Sequence, residues 1–144
     1  MRIVVDTNVL VSGVVNPRHV PGLVIEAAAR GACTLVTTAK LWSELEQTLS
    51  YARVREFIAR YGGETSVPVA IARLQTLVQF VPTESPAAQW LPEDPADDWV
   101  IQCAITGAAD YIVTGDKALL ALKQVEGIQI VTPSTFESDV LRTP

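Results

Sequence analysis

A parallel α/β fold is what the amino-acid sequence predicts. Short apolar or β-branched runs recur at Ile3-Val4-Val5, Thr34-Leu35-Val36-Thr37, Ala109-Asp110-Tyr111-Ile112-Val113-Thr114 and Ile128-Gln129-Ile130-Val131, and helical stretches separate them. Strands that alternate with helices imply a parallel sheet joined by right-handed crossovers. The chain is 49% hydrophobic over 144 residues, enough to bury roughly two-thirds of its unfolded surface around one core. It contains no internal repeat and no low-complexity segment, so one domain over residues 1–144 is expected.

Each element has a local cause. Ile3-Val4-Val5 ends abruptly in Asp6-Thr7-Asn8, a buried strand followed by a helix-start signal. From Val20 to Arg30 the chain is Ala-rich, with Pro21 near the start and Gly31 as the capping glycine, so a helix is expected there. After the strand Thr34–Thr37, a helix from Lys40 to about Tyr51 places Leu41, Leu45 and Leu49 on one inward stripe. Val54 to Tyr61 and Val69 to Val78 read as two amphipathic helices, separated by Gly62-Gly63 and Pro68, that form an added helical layer or arm. A Pro-rich loop from Pro82 to Pro95 leads to Asp97-Asp98, expected as N-cap residues of a helix from Trp99 to Ile105. The strand ending at Thr114 turns through Gly115-Asp116 into a short helix reaching Leu122, and a terminal helix follows Pro133.

Composition excludes several classes of function. The opening apolar run is only three residues long before Asp6, so neither a signal peptide nor a membrane span is expected and a cytoplasmic location is. Cys33 and Cys103 stand singly in apolar stretches without CxxC spacing, which favours buried, reduced thiols. The single histidine, His19, sits in a Pro-flanked loop, which leaves serine–histidine catalysis and a histidine metal site without a second partner. A net charge of −5 argues against a general nucleic-acid coat, since phosphate contacts need a basic surface. That argument weakens where acids are gathered around a bound cation.

The carboxylates carry the functional signal. In open parallel sheets ligands bind beyond the C-terminal ends of the strands, where Asp6 and Asp116 are expected. Glu44 and Asp98 lie on or at the start of helices flanked by core residues, which would turn them toward the same edge. Like charges so close need protons or cations to coexist, and Mg²⁺ or Mn²⁺ prefers oxygen ligands. Each acid also has an ordinary role: Asp6 and Asp97-Asp98 as helix caps, Glu44 as a solvated helix residue, Asp116 in a turn, Asp94 as loop chemistry beside Pro95. The combination, more than any single residue, points to a metal site.

Four short stretches, Val4-Val5-Asp6-Thr7-Asn8, Ser43-Glu44-Leu45, Asp94-Pro95-Ala96-Asp97-Asp98 and Tyr111-Ile112-Val113-Thr114-Gly115-Asp116-Lys117, occur in this order along nearly the whole chain. Together they resemble the PIN-domain nucleases, and in form they look most like the branch of toxin components of toxin–antitoxin systems. The resemblance implies a three-layer α/β/α fold with a central parallel sheet and a Mg²⁺- or Mn²⁺-dependent endoribonuclease. On it Asp6, Glu44, Asp98 and Asp116 match the family's acidic residues, with Thr114 a hydroxyl near the metal and Asn8 steadying the site. It also implies an RNA substrate, a homodimer and a small antitoxin partner. The chain departs from the pattern in carrying adjacent acids at Asp97-Asp98, and Ala96 where relatives often have Asp.

Between the two neighbours, the helical stripes Asp98, Ile101, Gln102, Ile105 and Asp97, Val100, Ile101, Ala104 overlap, so phase does not decide. The 18 residues from Asp98 to Asp116 leave room for a helix, a turn and a strand returning to the same edge, and on that spacing Asp98 is expected in the site. Asp97 is then left to cap the helix or steady a metal-bound water. Lys117 is the cation best placed to touch phosphate, because it follows Asp116, while Trp42, Trp90 and Trp99 are expected to pack. Two alternatives remain: a non-catalytic module of the same fold that binds RNA or protein, and an aspartyl-phosphate enzyme, disfavoured by Asn8 two residues after Asp6.

Overall fold

The computed structural model describes residues 1–61 and 66–142, so the expected breaker Gly62-Gly63 lies outside the described residues. Strands β1 (Arg2–Val5), β2 (Thr34–Thr37), β3 (Val78–Phe80), β4 (Tyr111–Val113), β5 (Gln124–Val125) and β6 (Ile128–Val131) form one sheet in the order β3-β2-β1-β4-β6-β5. Helices α1 (Thr7–Val15), α2 (Val20–Ala29), α3 (Ala39–Ser50), α4 (Ala52–Tyr61), α5 (Val67–Leu77), α6 (Pro95–Thr106), α7 (Lys117–Leu122) and α8 (Pro133–Thr135) connect them, and wider π-helical turns run from Phe136 to Leu141.

The side-chain alternation of the central strands builds the layers. Ile3, Val5, Leu35 and Val113 point to one face, where they meet Val9 and Leu10 of α1, Val24 of α2, Leu45 and Leu49 of α3, Ile58 of α4, Leu74 of α5 and Phe136. Val4, Val36 and Ile112 point to the other, against Val100, Ile101 and Ala104 of α6 and Leu119 of α7. Strands covered on both faces read as continuous apolar runs, as β1 does. The expected α/β/α sandwich is therefore the fold.

Three expectations are corrected. The sheet is not wholly parallel: β5 runs antiparallel to β6. Glu126 and Gly127 both take positive φ, the geometry of a two-residue hairpin turn, and a connection that short can only reverse the chain. The helix expected over Val69–Val78 starts earlier, with Ser66 as N-cap accepting the Val69 N–H, and Pro68 sits in its first turn, where no donor is needed. Val78 instead opens the unforeseen strand β3, whose Phe80 meets Trp42 edge-on at 5.7 Å. Lastly, α6 begins at Pro95 with Asp94 at the cap position, so Asp97 and Asp98 lie inside its first turn and do not cap it.

Other details follow the sequence closely. Gly31, with φ of 82°, ends α2; its N–H bonds the carbonyl of Ala28 and that of Ala32 bonds Ala27, the paired bonds of a left-handed helix end. Cys33 and Cys103 are both free and buried. Burial pushes both thiols up, Cys103 to about 12, so neither is a ready nucleophile. Among the described residues no helix is long and apolar enough to cross a membrane.

Candidate metal centre

From β1 the sheet extends to one side through β2 and β3, and the chain then returns to place β4 on the other side of β1. The segments leaving β1 and β4 lead to α1 and α7, which pack on opposite faces. Such a divergence opens a crevice at the C-terminal edge of the sheet. Asp6 is the first residue beyond β1, and Thr114-Gly115-Asp116 are the first beyond β4.

The Asp6 N–H bonds the Val113 carbonyl at 2.9 Å, continuing the sheet pairing by one residue and fixing where its side chain starts. Asp6 does not cap α1 with its carboxylate. Its Oδ2 accepts the Thr114 hydroxyl at 2.8 Å, and Thr114 Oγ1 in turn accepts the Asp116 N–H at 3.0 Å. Thr114 is fully buried, so this hydroxyl ties the two strand-end acids together. Asp116 Oδ1 accepts the N–H groups of Ala118 and Leu119 at 2.8 and 3.1 Å, capping α7. A carboxylate has two oxygens, so this cap leaves Asp116 a second one for another partner.

The remaining acids come from the start of α6. Asp94, Asp97 and Asp116 each offer one oxygen, and the three oxygens lie within 4.8 Å of one another. Among the described residues Asp97 Oδ2 is buried without a hydrogen-bond partner. Burial, then the charges of Asp116, Asp94 and Asp6 and a side-chain hydrogen bond with Asp94, push the Asp97 carboxyl up to about 7. Asp6 is also raised, chiefly by burial and further by Asp116 and Asp94, while the Thr114 hydroxyl and the Thr7 amide hold it down. Asp94 and Asp116 thus act on both Asp97 and Asp6, and the four carboxylates make one acidic unit.

That unit fits a divalent cation. Oxygens around one Mg²⁺ at about 2.1 Å lie roughly 3–4 Å apart, a spacing small side-chain rotations would reach from this arrangement. The donor set is all oxygen, which suits Mg²⁺ or Mn²⁺ over softer ions. A partnerless buried carboxylate oxygen among other carboxylates lacks a positive partner in the protein itself.

The expected site residues divide. Asp6 and Asp116 come together as the sheet topology implied. Asp98 does not join them: it is 3% exposed and its Oδ1 accepts the Leu91 N–H at 3.0 Å. Gln102, one turn on, accepts the Ala87 N–H at 2.8 Å, and Thr106, a turn further, donates to Glu84 at 3.3 Å. Asp98, Gln102 and Thr106 therefore form a polar stripe that fastens the long loop before α6, and one residue of helical rotation leaves Asp97 facing the strand ends. Glu44 is also apart from the cluster, half-exposed and paired with Lys40 at 3.3 Å. The Lys40 ammonium in turn lies 4.7 Å from the Trp99 ring centroid. Asn8 lines the same open groove as Asp6, Ser12, Gly115 and Asp116, and Lys117 is exposed at the start of α7. Asp94, expected as loop chemistry beside Pro95, stands at the cap position of α6 with an oxygen within 4.8 Å of oxygens of Asp97 and Asp116; the signal for this was Pro95, a first-turn proline that makes the preceding residue a helix cap.

The family model described as PIN domain matches residues 2–118. The chain belongs to the PIN domain family. The match takes in every residue of the acidic cluster, from Asp6 to Asp116. A comparison with curated proteins and one with solved structures each gave no match. PIN domains are generally metal-dependent nucleases, and the acidic cluster of this PIN domain is compatible with that chemistry.

Proposed function

We propose that this PIN domain is an endoribonuclease that hydrolyses RNA phosphodiester bonds with Mg²⁺ or Mn²⁺ held by Asp6, Asp94, Asp97 and Asp116. The observation that carries the metal reading is the buried, partnerless Asp97 oxygen beside the carboxylates of Asp94 and Asp116. A divalent ion there would activate water and offset charge developing on the phosphate. The chain's own residues do the rest: Thr114 holds Asp6 by its hydroxyl, and the cap of α7 holds Asp116. On this reading Asn8, which lines the groove, would bond a group there, and the exposed Lys117 would meet a phosphate beside Asp116. Asp98 acts indirectly, by setting the loop that leads into Asp94. Glu44 would join the acids only by leaving Lys40.

RNA as the substrate rests on the likeness of the four ordered motifs to the ribonuclease branch of the family. The same likeness supports a toxin role with a small antitoxin, a homodimer and a cytoplasmic location as parts of the proposal. Incubation of the purified chain with labelled single-stranded RNA and DNA tests the activity directly. RNA cleavage that needs Mg²⁺ or Mn²⁺ and stops in EDTA is expected; cleavage undiminished in EDTA would overturn the metal reading, and cleavage of DNA alone would overturn the substrate. For the toxin role, growth arrest on expression should be relieved by the product of a neighbouring small gene, and unimpeded growth would count against it.

A further inference from the structure

The basic residues of this acidic chain are unevenly placed. Of eleven Lys and Arg in a protein of net charge −5, Arg53, Arg55 and Arg60 fall on the single helix α4, with Glu56 its one acid. That helix is held by little: Ile58 alone is fully buried, with Val54 packed partly against the core. At helical spacing, Arg53, Phe57, Arg60 and Tyr61 fall on one stripe beside that buried edge. All four are exposed, Phe57 at 39% and Tyr61 at 53%. The two rings stack in the free chain, with centroids 6.1 Å apart and planes 19° from parallel, and the Arg60 guanidinium lies 6.0 Å from the Tyr61 ring.

Exposed aromatic rings beside arginines mark a contact surface, a composition that protein interfaces share, but the centre of a protein interface is depleted of charge. Alternating guanidinium groups and flat rings instead suit a single nucleic-acid strand: arginines take phosphates, while rings stack bases of any identity. Position agrees with this. α4 packs against α1, the helix that begins one residue after Asp6, and against α3.

We propose that the α4 stripe Arg53, Phe57, Arg60 and Tyr61 is a binding surface for single-stranded RNA, outside the cutting site. The inference rests on the ribonuclease reading and adds where the strand is held. It gives an acidic protein a local basic track, and it makes recognition on α4 indifferent to base identity.

The test uses the full chain and a fluorescent random-sequence RNA pool of about twenty nucleotides, with anisotropy read in EDTA so that nothing is cut. Phe57→Ala with Tyr61→Ala is expected to weaken binding roughly thirtyfold or more, at about 1 kcal/mol or more per ring, and Tyr61→Phe, which keeps the ring, to weaken it little. Arg53→Gln with Arg60→Gln should reduce the slope of log affinity against log salt by about 1.4, or 0.7 per phosphate contact. With Mn²⁺ present the same variants should raise KM for cleavage and leave kcat unchanged. Thermal melts confirm folding, which substitutions at exposed positions should preserve. RNA binding or cleavage insensitive to these changes overturns the α4 assignment alone. A dimer that dissociates in the variants with RNA affinity intact does so too, and marks the stripe as a contact between copies. A wild-type chain that neither binds nor cuts the RNA overturns the ribonuclease reading along with it.

Discussion

Replacing Asp97 by Asn should make the metal-free protein more stable at alkaline pH while removing its response to metal. The Asp97 carboxyl is raised from 3.8 to about 7 by burial and by the charges of Asp116, Asp94 and Asp6. Between pH 4 and 7 the folded state therefore holds a proton that the unfolded state has released. Stability is fully present below the unfolded value and falls as pH rises to 7, because the native state is the one that binds more protons. Three units at about 1.4 kcal/mol each set a ceiling near 4 kcal/mol, and partial exposure to solvent reduces this to about 2 kcal/mol. A neutral amide of the same shape carries no such penalty and can donate to its acidic neighbours. Asp97→Asn should accordingly melt about 5–8 °C above wild type at pH 8 in EDTA, and at the same temperature near pH 4. Millimolar Mn²⁺ should reverse the ranking: a site with an affinity near 10 μM stabilises wild type by about 2.7 kcal/mol, and the variant by far less. Thermal melts of both proteins at the two pH values, with and without Mn²⁺, decide the matter. A variant less stable than wild type at pH 8 in EDTA, or one that keeps the full Mn²⁺ shift, would refute the reasoning.

Three other substitutions probe the supports of the site. Thr114→Val removes the hydroxyl that donates to Asp6 and accepts the Asp116 N–H, so unfolding in denaturant should show a loss of about 1–3 kcal/mol and Mn²⁺ titration a weaker site; unchanged metal affinity would make the hydroxyl purely structural. Asp98→Ala leaves the Leu91 N–H without its acceptor and should destabilise the chain by about 1–3 kcal/mol, with faster proteolysis of the loop before α6. Mn²⁺ affinity lost in full in that variant, with the loop still protected, would return Asp98 to the metal site. Gly22→Ala should destabilise by several kcal/mol, since a Cβ there would lie 2.1 Å from the Pro17 carbonyl oxygen, which is backbone and cannot swing away; a variant melting at the wild-type temperature would show that the contact between α2 and the loop before it can open.

What was legible in the sequence was whatever one physical signal controlled. β1, β2 and β4 are buried on both faces, so continuous apolar runs marked them, and topology alone placed Asp6 and Asp116 at one edge. β3 was hidden because Val78 continues the apolar periodicity of α5 without a break, and a three-residue strand has too few positions for a period of two to show. The β5–β6 hairpin was hidden because Glu126-Gly127 is a weaker turn signal than Asn-Gly, although it adopts the same pair of positive φ angles. Asp97 and Asp98 were harder still, since both fit an apolar helix stripe and their spacing to Asp116 differs by a single residue. What separates them is the loop from Pro82 to Asp94, whose Ala87 and Leu91 amides find part-buried acceptors on α6. Once Gln102 takes one amide, the acid one turn before it is committed to the next, and its neighbour is left to face the strand ends. The need of a long loop for hydrogen-bond partners, a tertiary demand no local pattern encodes, thus selects which of two adjacent acids is tied to the loop and which lies beside Asp94 and Asp116.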